Sequence, residues 1–249
     1  MTEPALEVET MDDIAGGRLK VLQKAQGYRF SLDALLLSHF VGLRSGERVL
    51  ELGTGSGVIS LILARLWEGV KITGIDIQEE LVEMAGRSVA LNGLGEKIEV
   101  LAGDVRGIKN IFLPLSFDVV VANPPYRKAD SGRINPVKEK ALARHEITGT
   151  VGDFLQAAGY VLKSAGRLYM IYPATRTAEL ICSLRNAGVE PKRLRAIYSD
   201  EKSSGKLILV EGVKEGGEEM EVLPPLYIYG ENGGYTEEMA GIFRELSSP

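Results

Sequence analysis

The chain holds a single cysteine, Cys182, among 249 residues, so no disulfide can close within it. A small disulfide scaffold is excluded, and a reducing compartment is expected. Histidine is nearly as scarce, with only His39 and His145 present. One cysteine and two dispersed histidines cannot supply a zinc-type ligand cluster, so no metal is expected. Long apolar runs are missing too. The richest, Leu32 to Leu43, is cut by Asp33, Ser38 and His39 and falls short of the roughly 18 residues a membrane helix needs. The first 13 residues carry five acids and no base, unlike a signal peptide. These absences lead to the expectation of a cytoplasmic protein without membrane association.

What remains is ordinary in bulk: 45% hydrophobic and 25% charged residues, enough for one globular unit with a sizeable core. The charge is unevenly spread. Residues 1–13 contribute −5 and residues 211–249 contribute −7, so a net charge of −5 leaves residues 14–210 at +7. Overall acidity therefore does not exclude a nucleic-acid partner.

Apolar strand-like runs alternate with helical patterns through the middle of the chain. Candidate strands are Arg48–Leu52, Lys71–Ile77, Ile98–Ala102, Phe117–Ala122, Gly166–Tyr172, Arg193–Ile197 and Leu207–Glu211. Candidate helices are Val58–Trp67, Glu79–Leu91, Gly152–Leu162 and Thr175–Ala187. Runs such as Val119 to Ala122 suit strands buried on both faces. The alternation predicts an α/β fold: a doubly wound, mostly parallel, seven-stranded sheet with helices on both faces. Ahead of it, Arg18–Gln23 reads as a strand and Leu32–Phe40 as a helix capped by Ser31. No domain boundary is evident. A single domain over 1–249 is expected, with 1–47 as a lid on a catalytic core at 48–249. No apolar seam suggests oligomerisation, which favours a monomer.

The first core strand runs into V-L-E-L-G-T-G-S-G-V-I-S at 49–60. Gly53, Gly55 and Gly57 allow a tight turn and close approach of a ligand, with Thr54 between them. The helix that follows points free N–H groups at the same place. Asp76 then ends the second strand, next to Ile77, where a carboxylate can accept both hydroxyls of a ribose. A dinucleotide prefers G-x-G-x-x-G, which would need glycine at Val58. Here the loop is preceded by an acid, Glu51, which suits a cation better than a pyrophosphate. The run resembles the first motif of class I S-adenosylmethionine methyltransferases, whose cofactor carries a cationic sulfonium. In that family the acid after the third strand, here Asp104 beside Val105, accepts from the adenine amino group of the cofactor.

The fourth strand ends in Asn123-Pro124-Pro125-Tyr126. Two prolines stop the strand, hold a rigid loop and leave free carbonyl acceptors. Asn123 adds a side-chain acceptor and Tyr126 a flat aromatic face. The run resembles the fourth motif of amino methyltransferases that act on planar nitrogens. An exocyclic amine of adenine is a poor nucleophile because its lone pair is delocalised. Acceptors on its two N–H bonds, the Asn123 oxygen and the Pro124 carbonyl, draw it towards a tetrahedral shape. Tyr126 stacks on the base. This is catalysis by positioning and electrostatics.

Residues 126–145 hold Arg127, Lys128, Arg133, Lys138, Lys140 and Arg144 against Asp130 and Glu139, a net +4. This reads as a substrate-facing loop for phosphates. Lys192, Arg193 and Arg195 could extend the track. Three further segments, G-Y-R-F-S-L-D-A-L-L-L-S-H-F at 27–40, A-R-H-E at 143–146 and L-Y-I-Y-G-E-N-G-G-Y-T-E-E at 226–238, resemble the bacterial tRNA1(Val) adenine-37 N6-methyltransferase family. The resemblance implies N6-methylation of an adenine in a tRNA anticodon loop, with S-adenosylmethionine as cofactor. It also places Arg29, Phe30 and Asp33 near the cofactor. His39 is expected to be packed or on the surface, and His145 could touch RNA. The alternatives are a protein glutamine N5-methyltransferase, a DNA adenine or rRNA guanine methyltransferase, and a cofactor-binding RNA-interaction module without catalysis. The glutamine-modifying family has a sizeable helical domain ahead of its glycine loop, whereas here the motif begins at Glu51.

Overall fold

The structure, a computed structural model, describes residues 9–25, 32–126 and 149–247. The seven candidate strands all form, as β3 (Arg48–Leu52), β4 (Lys71–Asp76), β5 (Ile98–Ala102), β6 (Phe117–Ala122), β7 (Leu162–Pro173), β8 (Val189–Tyr198) and β9 (Gly205–Lys214). They lie in the order β5-β4-β3-β6-β7-β9-β8, parallel except for β9, which is antiparallel to both neighbours. The sheet has nine strands rather than seven. Two pairs of residues, β10 (Glu221–Val222) and β11 (Leu226–Tyr227), add to β8 in parallel. They are too short to show a strand pattern of their own, and Pro224 and Pro225 interrupt the run between them.

The strands are apolar because both faces are covered. Val49, Val119, Val121, Tyr169 and Ile171 enter one core with α1 (Leu32–Phe40), α2 (Val58–Leu66) and Val89 of α3 (Glu79–Leu91). Leu50, Leu52, Val120, Ala122, Leu168 and Met170 alternate with them into a second core with α4 (Val151–Val161) and α5 (Thr177–Asn186). This is the period-2 alternation of a strand with a helix layer on each side. The α4 start is set by a reciprocal cap in which Thr150 and Asp153 satisfy each other's backbone N–H.

Three further elements were not read from the sequence in full. A hairpin joins β1 (Glu9–Ile14) to β2 (Leu19–Lys24), and only its second strand was expected. Acidic β1 lacks a strand signature, but the turn has one: Ala15, Gly16 and Gly17 all adopt positive φ. A 3-10 helix covers Val105–Asn110. A C-terminal helix, α6 (Glu237–Leu246), buries Met239, Ile242 and Leu246 behind a Thr236 cap. That cap, two glutamates in the first turn and Arg244 in the last were legible signals.

The described N-terminal residues pack on the core. Leu36 and Leu37 of α1 are fully buried, and β2 bonds α3 through Asn92 and Ser88. His39 bridges α1 to Glu245 of α6 at 3.0 Å near the surface. Among the described residues, no helix is long and apolar enough to cross a membrane, and no group of three or more His, Cys, Asp or Glu could hold a metal.

Candidate active site

Strand order reverses between β3 and β6, which pair with Leu52 opposite Ala122. Beyond their carboxyl ends the glycine loop and the Asn123 loop therefore stand side by side. A cleft opens there, lined by Ala34, Glu51, Gly53, Thr54, Gly55 and Asn123 among others. Open α/β sheets bind ligands at this point of reversal.

The loop conformation demands glycine. Gly53, Gly55 and Gly57 have φ of 73°, 55° and 79°, in the left-handed region. At Gly53 a Cβ would also lie 3.2 Å from the Phe154 ring, so side chain and backbone would both be strained. Nothing within 4 Å would meet a Cβ at Gly55, so this turn of the loop faces open space.

Two buried acids frame the loop. Glu51 is 2% exposed, and its Oε2 accepts from Thr54 Oγ1 at 2.8 Å, from the Ser60 N–H at 3.0 Å and from the Ser60 hydroxyl. Burial pushes its carboxyl up to about 7, against the pull of those hydrogen bonds, and the charge of Asp76 adds to the rise. Asp76 is 7% exposed; its Oδ2 accepts from the Gly55 N–H and its Oδ1 from the Gln78 N–H, both at 2.9 Å. Burial raises its pKa as well. Desolvated carboxylates beside an open, Cβ-free turn fit a cationic ligand carrying a ribose: the cation relieves the desolvation cost and the carboxylate accepts hydroxyl protons.

The third expected acid is placed differently. Asp104 caps the 3-10 helix, and both of its oxygens are engaged by Arg106, with Nη2 at 2.6 Å, which holds its pKa down. It does not line the cleft. Val105 is buried in the second core, and Ile77 is half-buried beside Asp76.

Pro124 is buried, while Asn123, Pro125 and Tyr126 are half-buried. Tyr126 Oη lies 2.6 Å from Asn123 Oδ1 and 2.9 Å from Asp33 Oδ2 of α1. Behind Tyr126 stand two residues without a motif to announce them. The Tyr172 ring meets Tyr126 edge-on at 6.1 Å, and Arg176 Nη1 donates to the Tyr126 carbonyl at 3.1 Å.

The expected extension of the basic track is not borne out by the structure. Arg193 pairs with Glu211, which faces it across the β8–β9 ladder, and Arg195 pairs with Glu238 of α6. Lys192 donates to the carbonyls of Gly217 and Glu218. Arg193 and Arg195 are paired with acids, and all three cations stand within β8, short of its carboxyl end. Arg29, Phe30, His145 and the basic residues Arg127, Lys128, Arg133, Lys138, Lys140 and Arg144 lie outside the described residues.

A parallel sheet with this order, one antiparallel strand near its edge and a glycine loop backed by Glu51 and Asp76 define a class I S-adenosylmethionine-dependent methyltransferase. The chain belongs to the methyltransferase domain family, whose profile matches residues 43–223. A curated relative from Dyadobacter fermentans, named tRNA1(Val) (adenine(37)-N6)-methyltransferase, is 25% identical over 215 residues, covering 86% of each chain. One of the same name from a Flavobacteriaceae bacterium is 28% identical over 200 residues, covering 75% of this chain and 83% of that one. A solved Agrobacterium tumefaciens protein, described as a predicted O-methyltransferase, superimposes with a TM-score of 0.71 at 21% identity. It covers 87% of this chain and 98% of its own, and shows the shared fold.

Asp76→Ala is expected to weaken S-adenosylmethionine or S-adenosylhomocysteine binding about 10-fold or more, the value of a lost charge-assisted hydrogen bond. Titration calorimetry checks this, and an unchanged affinity removes Asp76 from the cofactor site.

Proposed function

We propose that the chain methylates the N6 nitrogen of an adenine in tRNA, in the anticodon loop. The observation that carries this reading is the seating of Asn123, the residue before buried Pro124, on the rim of the cleft formed by the glycine loop. The names of the two curated relatives agree with it. S-adenosylmethionine, when bound, supplies the electrophilic methyl carbon. Glu51, Gly53, Thr54, Gly55, Gly57 and Asp76 would hold it.

The protein's part is to make a poor nucleophile attack. The Asn123 side-chain oxygen and the Pro124 carbonyl accept the two amine hydrogens and aim the lone pair along the transfer axis. Prolines at 124 and 125 make the corner stiff, so little reorganisation is needed during reaction. Tyr126 stacks on the base, a contact worth about 1–3 kcal/mol. Arg127, Lys128, Arg133, Lys138, Lys140 and Arg144 would neutralise backbone phosphates without reading sequence.

The deciding experiment offers labelled cofactor to total RNA, DNA and protein and digests the labelled pool. The expected product is N6-methyladenosine from the tRNA fraction. Label in glutamine or in DNA would replace this reading. Transfer to RNA is also expected to fall steeply between about 50 and 200 mM salt, as counterion release requires. A flat salt response would argue for a small or peptide substrate.

A further inference from the structure

The Tyr126 hydroxyl faces two oxygens but has one proton. Its Oη is 2.6 Å from Asn123 Oδ1 and 2.9 Å from Asp33 Oδ2. It cannot donate to both, and the contact left without a proton would set lone pair against lone pair. An ionised carboxylate offers only acceptors. A carboxamide can turn over and present its NH2 in the same space. The charged acceptor makes the stronger bond, so the phenol proton belongs to Asp33. Asn123 is then satisfied by donating its Nδ2–H to Tyr126 Oη, which turns its Oδ1 to the opposite side.

We propose that Asp33, acting through the Tyr126 hydroxyl, is the positioning residue that fixes which end of the Asn123 amide is offered to the substrate. The proposal rests on the N6-methylation reading and deepens it. A substrate amine brings hydrogens, so it needs the amide oxygen; the reversed amide would meet it donor to donor. The link joins α1 to the fourth-strand loop across 93 residues of sequence. Tyr126 is fixed for this task at its other end. Arg176 holds its carbonyl, lies 4.8 Å over the Tyr172 ring and is itself locked by two bonds to Glu179 at 2.6 and 2.7 Å. Asp33 is equally fixed, because α1 buries Ala34, Leu36 and Leu37 beside it.

The mechanism predicts an unusual pattern of variants. In Asp33→Ala the charged acceptor is gone and the Asn123 oxygen, 2.6 Å away, takes the Tyr126 proton, so the amide is held the wrong way round. Turnover with cofactor and RNA both saturating should fall on the order of 10-fold, the value of one hydrogen bond to be broken. Tyr126→Phe keeps the ring and frees the amide, and should lose only about 3-fold, since the substrate can then select the orientation itself. Adding Tyr126→Phe to Asp33→Ala should therefore restore turnover to the level of Tyr126→Phe alone. A double variant as slow as Asp33→Ala, or slower, overturns the proposal. So does wild-type turnover of Asp33→Ala when cofactor and RNA are both saturating.

A second measurement needs no substrate. In protein labelled with nitrogen-15 at asparagine, the Asn123 NH2 signals are assigned by their loss in Asn123→Ala. One proton should be shifted by hydrogen bonding in wild type and revert in both Asp33→Ala and Tyr126→Phe. Signals unmoved by either substitution reject the link. If they revert as expected while RNA gains no N6-methyladenosine, the link stands and the functional reading falls.

Discussion

Asn123→Ala is expected to retain the fold and cofactor affinity while methyl transfer drops by about 100-fold or more, the usual cost of removing one placed hydrogen-bonding group from a polar transition state. The side chain is half-buried at the end of β6 and supports no backbone group in the described structure, so unfolding temperature should change little. It faces the cleft beside the glycine loop without binding that loop, so calorimetry with S-adenosylhomocysteine should give wild-type affinity. The loss should appear in single-turnover transfer with both ligands saturating, because the amide acts on the amine as it pyramidalises rather than on the resting base. Wild-type single-turnover rates in the variant would remove Asn123 from the reaction.

The second large effect concerns stability. Glu51 is buried and its carboxyl is raised to about 7, from the ordinary 4.5. The folded protein therefore binds a proton that the unfolded chain has released. The stability tied to this proton is fully present below about 4.5 and is lost as pH rises through about 7. Glu51→Gln stays neutral at every pH, and its amide oxygen can still accept from Thr54 and Ser60. The variant should match wild type near pH 4.5 and exceed it by up to about 3 kcal/mol above pH 7.5, from roughly 1.4 kcal/mol per pKa unit. Other carboxylates, among them Glu9, Asp104 and Asp118, have lowered pKa values and act in the opposite direction. The informative quantity is therefore the difference between the two proteins, measured by urea unfolding at several pH values. A difference that stays constant from pH 5 to 8 would mean that Glu51 is ionised throughout. Because the cofactor is a cation, its binding should favour the charged form of Glu51. Wild type should then gain more stability from cofactor at pH 8 than at pH 5.5, and Glu51→Gln should show no such trend.

Much of the site was legible because strand ends are punctuated in sequence. Glycine at 53, 55 and 57, the acid at 76 and the double proline at 124–125 each mark where an apolar run stops. Parallel strands in one sheet carry their stops to the same edge. Asp104 stands at such a stop too, yet its partner Arg106 lies two residues away, and a local pair of that kind is indistinguishable from a turn by pattern alone. The pairing of Arg193 and Arg195 is hidden for the opposite reason: the acids that neutralise them, Glu211 and Glu238, lie 18 and 43 residues further on.

The sequence by itself determined the sheet's seven principal strands, the helices between them, the glycine loop and the donor-free corner at Asn123, because each follows from periodicity and backbone restrictions within a few residues. Only the tertiary structure decided that Glu51 is enclosed and proton-binding, that Arg176 and Tyr172 brace Tyr126, and that Asp33 reaches the same hydroxyl from α1. Those properties come from burial and from pairings between residues far apart in the chain, and a chain carries no local mark of which distant group will share its solvent-free space.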